Sequence, residues 1–421
     1  MKVTVVNTHD VIGGAERASY DLASTLHRQG DEVRLYVGGQ YGLDSFTRRM
    51  HYRKPDYTLR WWVSHYLGLT DTTLWGPIDA CRRFRDFIEA DVVNLHNMHG
   101  SYWNFWTLGV LARRVPVVLT LHDEWFLTGD CAYTYSCERW MQNCGQCPQF
   151  SGALQSNRYA LGGRDLTRVN LSLKRMATAR VATSRMVIVA PSRWLLGQAA
   201  KSKHLRRFPM RHIEYGLDLS VFQPLSQQVC RETLSLPPDR RLIFCVASNL
   251  SDPRKNFQGL FELAHAGELP EGMMLVCAGK APHGINSVDH PQVKWLGFLE
   301  TRAAMAEAIG ACDFSIVLSK ADNLPYVCLE TMACGRPVLG TTAGGIPEIV
   351  THGLTGWILP HEADKAALCR ALHEIAALGG EQLAQMGGNA REQACRRYKM
   401  DDYAARYRNV INELMDRCES P

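Results

Sequence analysis

The sequence predicts an α/β protein made of two doubly wound parallel sheets, one in each half of the chain. Three observations predict it. Short apolar, strand-type runs alternate with amphipathic helical patterns along most of the length, the arrangement that closes into parallel sheets. The alternation lapses after residue 210 and starts afresh near residue 241. The chain has 421 residues, more than one hydrophobic core usually serves, so two domains are expected.

The elements follow in order. Residues 3–6 (VTVV) read as a strand and NTHDVIGG as the loop after it. A helix over 15–29 places Ala15, Ala18, Leu22 and Leu26 on one face, and Gly30 ends it. Residues 32–37, 92–95, 117–122 and 187–190 continue the strands of a domain spanning 1–210. Residues 211–225 show no regular period and read as a linker. In the second domain (226–399), LIFCVAS, MMLVCAG, VKWLG, FSIVLS, PVLGT and GWIL are short strands between helical patterns. The last segment, 400–421, is one amphipathic helix with Tyr403, Tyr407, Val410, Ile411 and Leu414 along its apolar stripe, expected to pack back on the first domain. Ligands of open parallel sheets bind outside the carboxyl ends of the strands, so the two halves are expected to face each other across a cleft.

Composition narrows the function. A net charge of +5 is small for this length and argues against nucleic acid as a partner. No apolar run approaches the roughly 20 residues that span a bilayer, and MKVTVV is too short for a leader; a cytoplasmic protein is expected. Basic and aromatic residues interleave in 48–62, 82–87 and 201–208. Against the plain reading of solvated helix faces, these patches suggest a salt-sensitive peripheral contact with anionic headgroups at the cytoplasmic face of the inner membrane.

Residues 319–350 read SKADNLPYVCLETMACGRPVLGTTAGGIPEIV. The segment opens at the carboxyl end of a strand, Pro325 suits a helix start and Gly335 a helix end. Backbone N–H groups near Asn323 and Leu324 then face outward at a helix N-terminus, a suitable place for phosphate or sugar hydroxyls. Glu330 is placed to accept hydrogen bonds from a ribose diol. Taken singly, Glu330 reads as a solvated helix glutamate and Asp322 as a helix cap.

Two acids separated by seven residues, then a helix and a Gly-Gly-hydrophobic-Pro-Glu run, resemble glycosyltransferase family 4, the retaining GT-B enzymes. Asp322 and Glu330 take the acidic positions, and GGIPEIV the closing run. The first acid is usually glutamate, so Asp322 is a departure. The resemblance implies two Rossmann-like domains, a nucleotide-sugar donor, and catalysis without a metal cofactor. It also implies front-face transfer that rests on positioning and electrostatics. A lysine and an arginine six residues earlier are implied to grip the diphosphate. Lys255 matches the lysine, while Asn249 stands at the arginine position with Arg254 beside Lys255; otherwise these are ordinary surface cations.

On the first domain the resemblance assigns the turn Gly13-Gly14 with Glu16 to the donor side, against a plain structural turn. It assigns His122, at the end of VVLTLH, to a contact near the reacting carbon. His9, His96 and His99 also end strands and receive no role.

Cys131, Cys137, Cys144 and Cys147 crowd into a C-x5-C-x6-C-x2-C insert. Structural zinc is one reading; disulfides and reduced buried thiols are the others. The stretch from TLHDEW to CGQCP resembles exopolysaccharide enzymes, the colanic-acid subgroup among them. The resemblance implies transfer to a saccharide acceptor, lipid-linked, in surface glycan synthesis. The competing reading is a non-catalytic GT-B protein that binds glycan or scaffolds a biosynthetic complex, which the departures at Asp322 and Asn249 motivate.

Overall fold

The computed structural model describes residues 1–11, 13–42, 44–50, 66, 68–69, 85–100, 102–151, 164–282 and 290–419. The chain forms two compact units. Unit 1 comprises Met1–Gly216 and Met400–Pro421, and unit 2 is Leu217–Lys399.

Unit 1 holds a parallel sheet of β1 (Lys2–His9), β2 (Glu32–Gly39), β3 (Thr47–Arg49), β4 (Val92–Leu95), β5 (Val117–Thr120), β6 (Met186–Ala190) and β7 (Met210–His212). Their order is β3-β2-β1-β4-β5-β6-β7. The central strands β4, β5 and β6 are buried at every residue, as expected of a parallel sheet covered on both faces. Val93, Leu95, Val117, Leu119 and Ile188 from these strands pack with Phe105 and Leu108 in one core.

Two strands escape a sequence reading. β3 and β7 have three residues each, too few to show a period of two. β7 lies at the join between the first domain and the stretch read as an irregular linker, where it pairs with β6.

Unit 2 holds a parallel sheet of β8 (Arg241–Asn249), β9 (Met273–Lys280), β10 (Val293–Gly297), β11 (Phe314–Ile316), β12 (Val338–Thr341) and β13 (Gly356–Leu359), ordered β10-β9-β8-β11-β12-β13. Ile243, Cys245, Leu275, Cys277, Phe314 and Leu339 form its core with Phe261 and Leu372. Several of the chain's scattered cysteines thus act as small apolar fillers.

The helix Met400–Glu419 buries Tyr403, Ala404, Tyr407, Val410, Ile411 and Leu414 and packs on the helix Gly14–Arg28 of the same unit. Burying each large apolar side chain is worth about 1.5–3 kcal/mol. Arg408, midway along this helix, ties it to the turn after the helix Gly14–Arg28 by donating to Asp31 Oδ2 at 2.6 Å.

Both sheets are doubly wound. In unit 1 the chain builds outward from β1 to β3, then returns to lay β4 against the other side of β1. In unit 2 it builds from β8 to β10, then lays β11 against β8. The carboxyl ends of β1/β4 and β8/β11 are therefore the two topological switch points, where loops diverge and ligands of such sheets bind.

Candidate functional site

The β8/β11 switch point in unit 2 gathers most of the residues singled out from the sequence. Asp322 follows β11 and is 7% exposed. Lys255 Nζ donates to its Oδ2 at 2.6 Å, Arg254 at 3.2 Å and Ser319 Oγ at 3.1 Å. The Asn323 N–H reaches Oδ1 at 3.1 Å. Burial works to raise the Asp322 carboxyl, but Lys255 and Arg254 outweigh it and hold the group below the ordinary carboxylate range. The loop after β8 is tied to the same place by Lys320 N–H donating to the Arg254 carbonyl at 2.8 Å. Two cations thus stand at a switch point, oriented by one carboxylate.

Gly344 has φ +54, and a Cβ there would lie 1.6 Å from the Asp322 carbonyl oxygen. The Gly345 N–H donates to the Asn323 carbonyl at 2.7 Å. The Gly-Gly pair therefore clamps the backbone of 322–323 from above, a close approach that only glycine permits. Asn323 and the Leu324 side chain are buried. Pro325 is the N-cap of the helix Tyr326–Ala333, on which Glu330 sits half-buried. Gly335 (φ 73) closes that helix, its N–H donating to the Met332 carbonyl.

Asn249, at the position where an arginine was expected, is exposed at the end of β8. Its Oδ1 accepts the Ser251 N–H at 3.0 Å, so it shapes its own turn. Arg254, rather than Asn249, shares Asp322 with Lys255.

The β1/β4 switch point in unit 1 gathers the rest. Gly13 (φ +105) precedes the helix Gly14–Arg28, and a Cβ there would meet Glu16 Oε2 at 2.3 Å. Glu16 Oε1 accepts from Asn97 Nδ2 at 3.3 Å, and burial raises its carboxyl. Gly13 thus admits the Glu16 carboxylate against the backbone.

His122 is buried, with Nε2 2.7 Å from His96 Nδ1 and Nδ1 2.7 Å from the Tyr215 hydroxyl. Burial lowers His122 to about 4 and pushes His96 well below the ordinary histidine range, so both rings are neutral at pH 7. Alongside, His99 Nε2 meets Asp123 Oδ2 at 2.9 Å. Burial opposes ionisation of Asp123, but His99 and the Trp125 N–H hold it below the ordinary range.

Sequence reasoning left His96, Asn97, Tyr215 and Ser319 without roles. Of these, His96 carried a signal, a histidine at a strand end. Tyr215 lies 93 residues from His122 and gave none.

The insert carries its four cysteines as free, half-buried thiols. Among the described residues, which include all four cysteines, no three His, Cys, Asp or Glu side chains are grouped to hold a metal ion. Other contacts hold the insert. Glu124 accepts from Thr134 N–H at 2.8 Å and Thr134 Oγ1 at 2.9 Å. Asp165 accepts the Cys147 N–H at 2.8 Å, and Trp140 is buried in the core. Burial pushes the Cys131 thiol well up and Cys144 to about 11.

Of the basic patches, 51–62 and 82–84 lie outside the described residues. In 201–208, Lys201, Lys203, Arg206 and Arg207 are exposed, while Leu205 and Phe208 are buried. Its apolar side chains serve the core, so only charge faces outward. Among the described residues no helix is long and apolar enough to cross a membrane.

Two family models match the chain. One, described as glycosyl transferases group 1, covers residues 240–377, and the other, a glycosyl transferase 4-like domain, covers 13–147. The chain is 26% identical over 309 residues to the putative colanic acid biosynthesis glycosyl transferase WcaC of Escherichia coli (strain K12), covering 70% of this chain and 69% of that protein. It is 32% identical over 119 residues to N-acetyl-alpha-D-glucosaminyl L-malate synthase of Bacillus anthracis, covering 28% of this chain and 30% of that protein. These alignments leave from about a third to over two thirds of each relative unmatched. The fold is similar to that of Anabaena HepE in complex with UDP-glucose, with TM-score 0.64 and 17% identity, over 98% of this chain and 99% of that one.

Proposed function

Because this chain belongs to the GT-B glycosyltransferases, with a 4-like amino-terminal domain and a group 1 carboxy-terminal domain, we propose that it transfers a hexosyl residue from a nucleoside-diphosphate sugar to a saccharide acceptor. The observation that carries this reading is the pair Lys255 and Arg254 held on Asp322 at the β8/β11 switch point. An arriving diphosphate takes over the two cations, whose charge then stabilises the leaving nucleotide. The cations need no reorientation, because Asp322 has already fixed them. In unit 2, the donor contacts of this reading are Glu330 and the backbone of Asn323 and Leu324; in unit 1, they are Gly13, Gly14 and Glu16. His122, neutral and buried, contacts the sugar near the reacting carbon. Transfer proceeds with retention, the departing phosphate helping to take the acceptor's proton.

Likeness to WcaC, named for colanic acid biosynthesis, supports surface glycan synthesis; the acceptor of this reading is lipid-linked and met at the cytoplasmic face of the inner membrane through the exposed cations of 201–208. The UDP-glucose complex of HepE supports a uridine nucleotide as the first donor to try.

A nucleotide-sugar screen by thermal shift tests the reading. Donor at a hundredfold excess over Kd stabilises the native state by about 2.7 kcal/mol, an upward shift of several degrees. Failure of every nucleotide-sugar to raise the melting temperature refutes donor binding. A protein that binds a donor and transfers nothing to any saccharide or lipid-linked acceptor is instead the non-catalytic scaffold. The anomeric configuration of the product decides retention.

A further inference from the structure

His96 lies outside every role described so far, yet it is among the most constrained polar side chains of unit 1. It is 2% exposed, and its ring is stacked on that of His122 with centroids 5.0 Å apart. His122 is in turn stacked on Tyr215 at 5.7 Å. The nitrogens and the hydroxyl form a chain: Tyr215 hydroxyl, His122 Nδ1, His122 Nε2, His96 Nδ1. The remaining nitrogen, His96 Nε2, is buried and has no hydrogen-bond partner among the described residues. It belongs to a ring that lines a cavity of about 10 Å³, shared with Asn97, His99, His122, Asp123 and Trp125. That volume matches a single water or one hydroxyl group.

We propose that His96 is a positioning residue for His122, setting which of the two His122 nitrogens carries the proton. This rests on the reading above that His122 faces the donor sugar. A neutral imidazole has one N–H and one lone pair, so the chain has two arrangements. In one, the Tyr215 O–H donates to His122 Nδ1, His122 Nε2–H donates to His96 Nδ1, and His96 Nε2–H points away as a donor. In the other, His122 Nδ1–H donates to the Tyr215 oxygen, His96 Nδ1–H donates to His122 Nε2, and His96 Nε2 offers a lone pair. A group that accepts at His96 Nε2 selects the first arrangement, and one that donates selects the second. The buried Nε2 cannot stay unpaired cheaply, so a group that pairs with it biases the His122 tautomer. The charged neighbours of the pair are Asp123, which favours the protonated His122, and His99, which opposes it. Burial outweighs both.

The test uses the full chain, with ring-nitrogen NMR of 15N-histidine protein without donor, then turnover with the donor found by the screen. Asparagine mimics Nδ1 and preserves the bond to His122, glutamine mimics Nε2, and phenylalanine keeps only the ring. The wild type should show His122 in one neutral tautomer, retained in His96→Asn and averaged over both in His96→Phe and His96→Gln. Turnover should fall about tenfold in His96→Phe and His96→Gln, the worth of one hydrogen bond, with the donor KM within about twofold and recovery in His96→Asn. An averaged His122 in the wild type overturns the proposal. So does a His96→Phe protein with the wild-type His122 spectrum, or a His96→Asn protein as impaired as His96→Phe at equal melting temperature. If no donor is turned over, the transfer reading falls, while the NMR comparison still decides for or against His96.

Discussion

Replacing Lys255 with methionine separates two roles that the structure superimposes on one ammonium. Lys255 is 2.6 Å from Asp322 Oδ2 and about one-fifth exposed, and Arg254 shares the same oxygen at 3.2 Å. If Lys255 grips the donor diphosphate, its loss removes a charge-assisted hydrogen bond worth about 1.5–3 kcal/mol, which weakens donor binding roughly 10- to 150-fold. If it serves only as counter-ion to Asp322, the same single variant also binds poorly, because an under-neutralised carboxylate then repels the diphosphate. The double variant Lys255→Met/Asp322→Asn distinguishes the two. Under the grip reading it binds as weakly as Lys255→Met, since neutralising Asp322 does not replace the missing cation. Under the counter-ion reading it regains wild-type affinity. Calorimetric titration with the donor's nucleoside diphosphate gives all four corners of the cycle. Wild-type affinity in the double variant would refute the grip. Arg254 keeps Asp322 partly neutralised throughout, so the stability loss in Lys255→Met stays near 1 kcal/mol, and a denaturation curve on the same samples confirms that binding is compared between folded proteins.

Gly344→Ala drives a Cβ to 1.6 Å from the Asp322 carbonyl oxygen at positive φ, so donor binding should fall with a stability loss of roughly 3 kcal/mol or more; a melting temperature and donor affinity at wild-type values would contradict the clamp. Stability should fall on acidification. Burial lowers His122 to about 4 and His204 to about 3, so between pH 6.5 and 4 the unfolded chain takes up protons that these rings refuse. Each ring then costs roughly 1.4 kcal/mol per pH unit. Glu124 acts oppositely: burial raises it from 4.5 to about 7, so its folded-state proton adds stability as pH drops through that window. Melting curves at pH 7, 6 and 5 should show a net decline, steeper in Glu124→Gln; a flat profile refutes the assignment. Protein purified under reducing conditions should carry no stoichiometric zinc, and a chelator should leave its melting temperature unchanged. One bound zinc per chain by elemental analysis would restore the metal reading of the insert.

The sequence made the doubly wound architecture legible because nearly every central strand is an unbroken apolar run, buried on both faces and bounded by loop residues. The inner strands of unit 2 can be found this way, and its edge strands β10 (VKWLG) and β13 (GWIL) as short, half-buried runs. The short edge strands β3 and β7 could not, since three residues carry no periodicity. At the candidate site, motif spacing identified Asp322 and Lys255 separately, and only the fold shows them bonded to each other. Arg254 reads from the sequence as a cation beside Lys255 that could make a planar, bidentate contact, and its reach to Asp322, 68 residues away, shows only in the fold. The His96–His122–Tyr215 chain stayed hidden for the same reason: hydrogen bonds between strand ends leave no trace in local composition. The four-cysteine cluster offers a spacing but no ligand geometry, since among the described residues no three His, Cys, Asp or Glu side chains are grouped to hold a metal ion.

Unit 2 is a single uninterrupted stretch inserted within unit 1, and its two ends are stitched together. The Leu217 N–H donates to the Tyr398 carbonyl at 2.8 Å, and Leu217 bridges to Lys399. Genetically, this makes unit 2 a cassette. Exchanging it with that of a related enzyme takes two cuts at adjoining points, between Gly216 and Leu217 and between Lys399 and Met400. A chimera joined only at the first point would strip unit 1 of its closing helix and bare the face on which Tyr403 and Tyr407 rest. Recombination that exchanges unit 2 while keeping unit 1 must therefore preserve the native carboxy-terminal tail, and this tail travels with the half of the chain that is farther away in sequence.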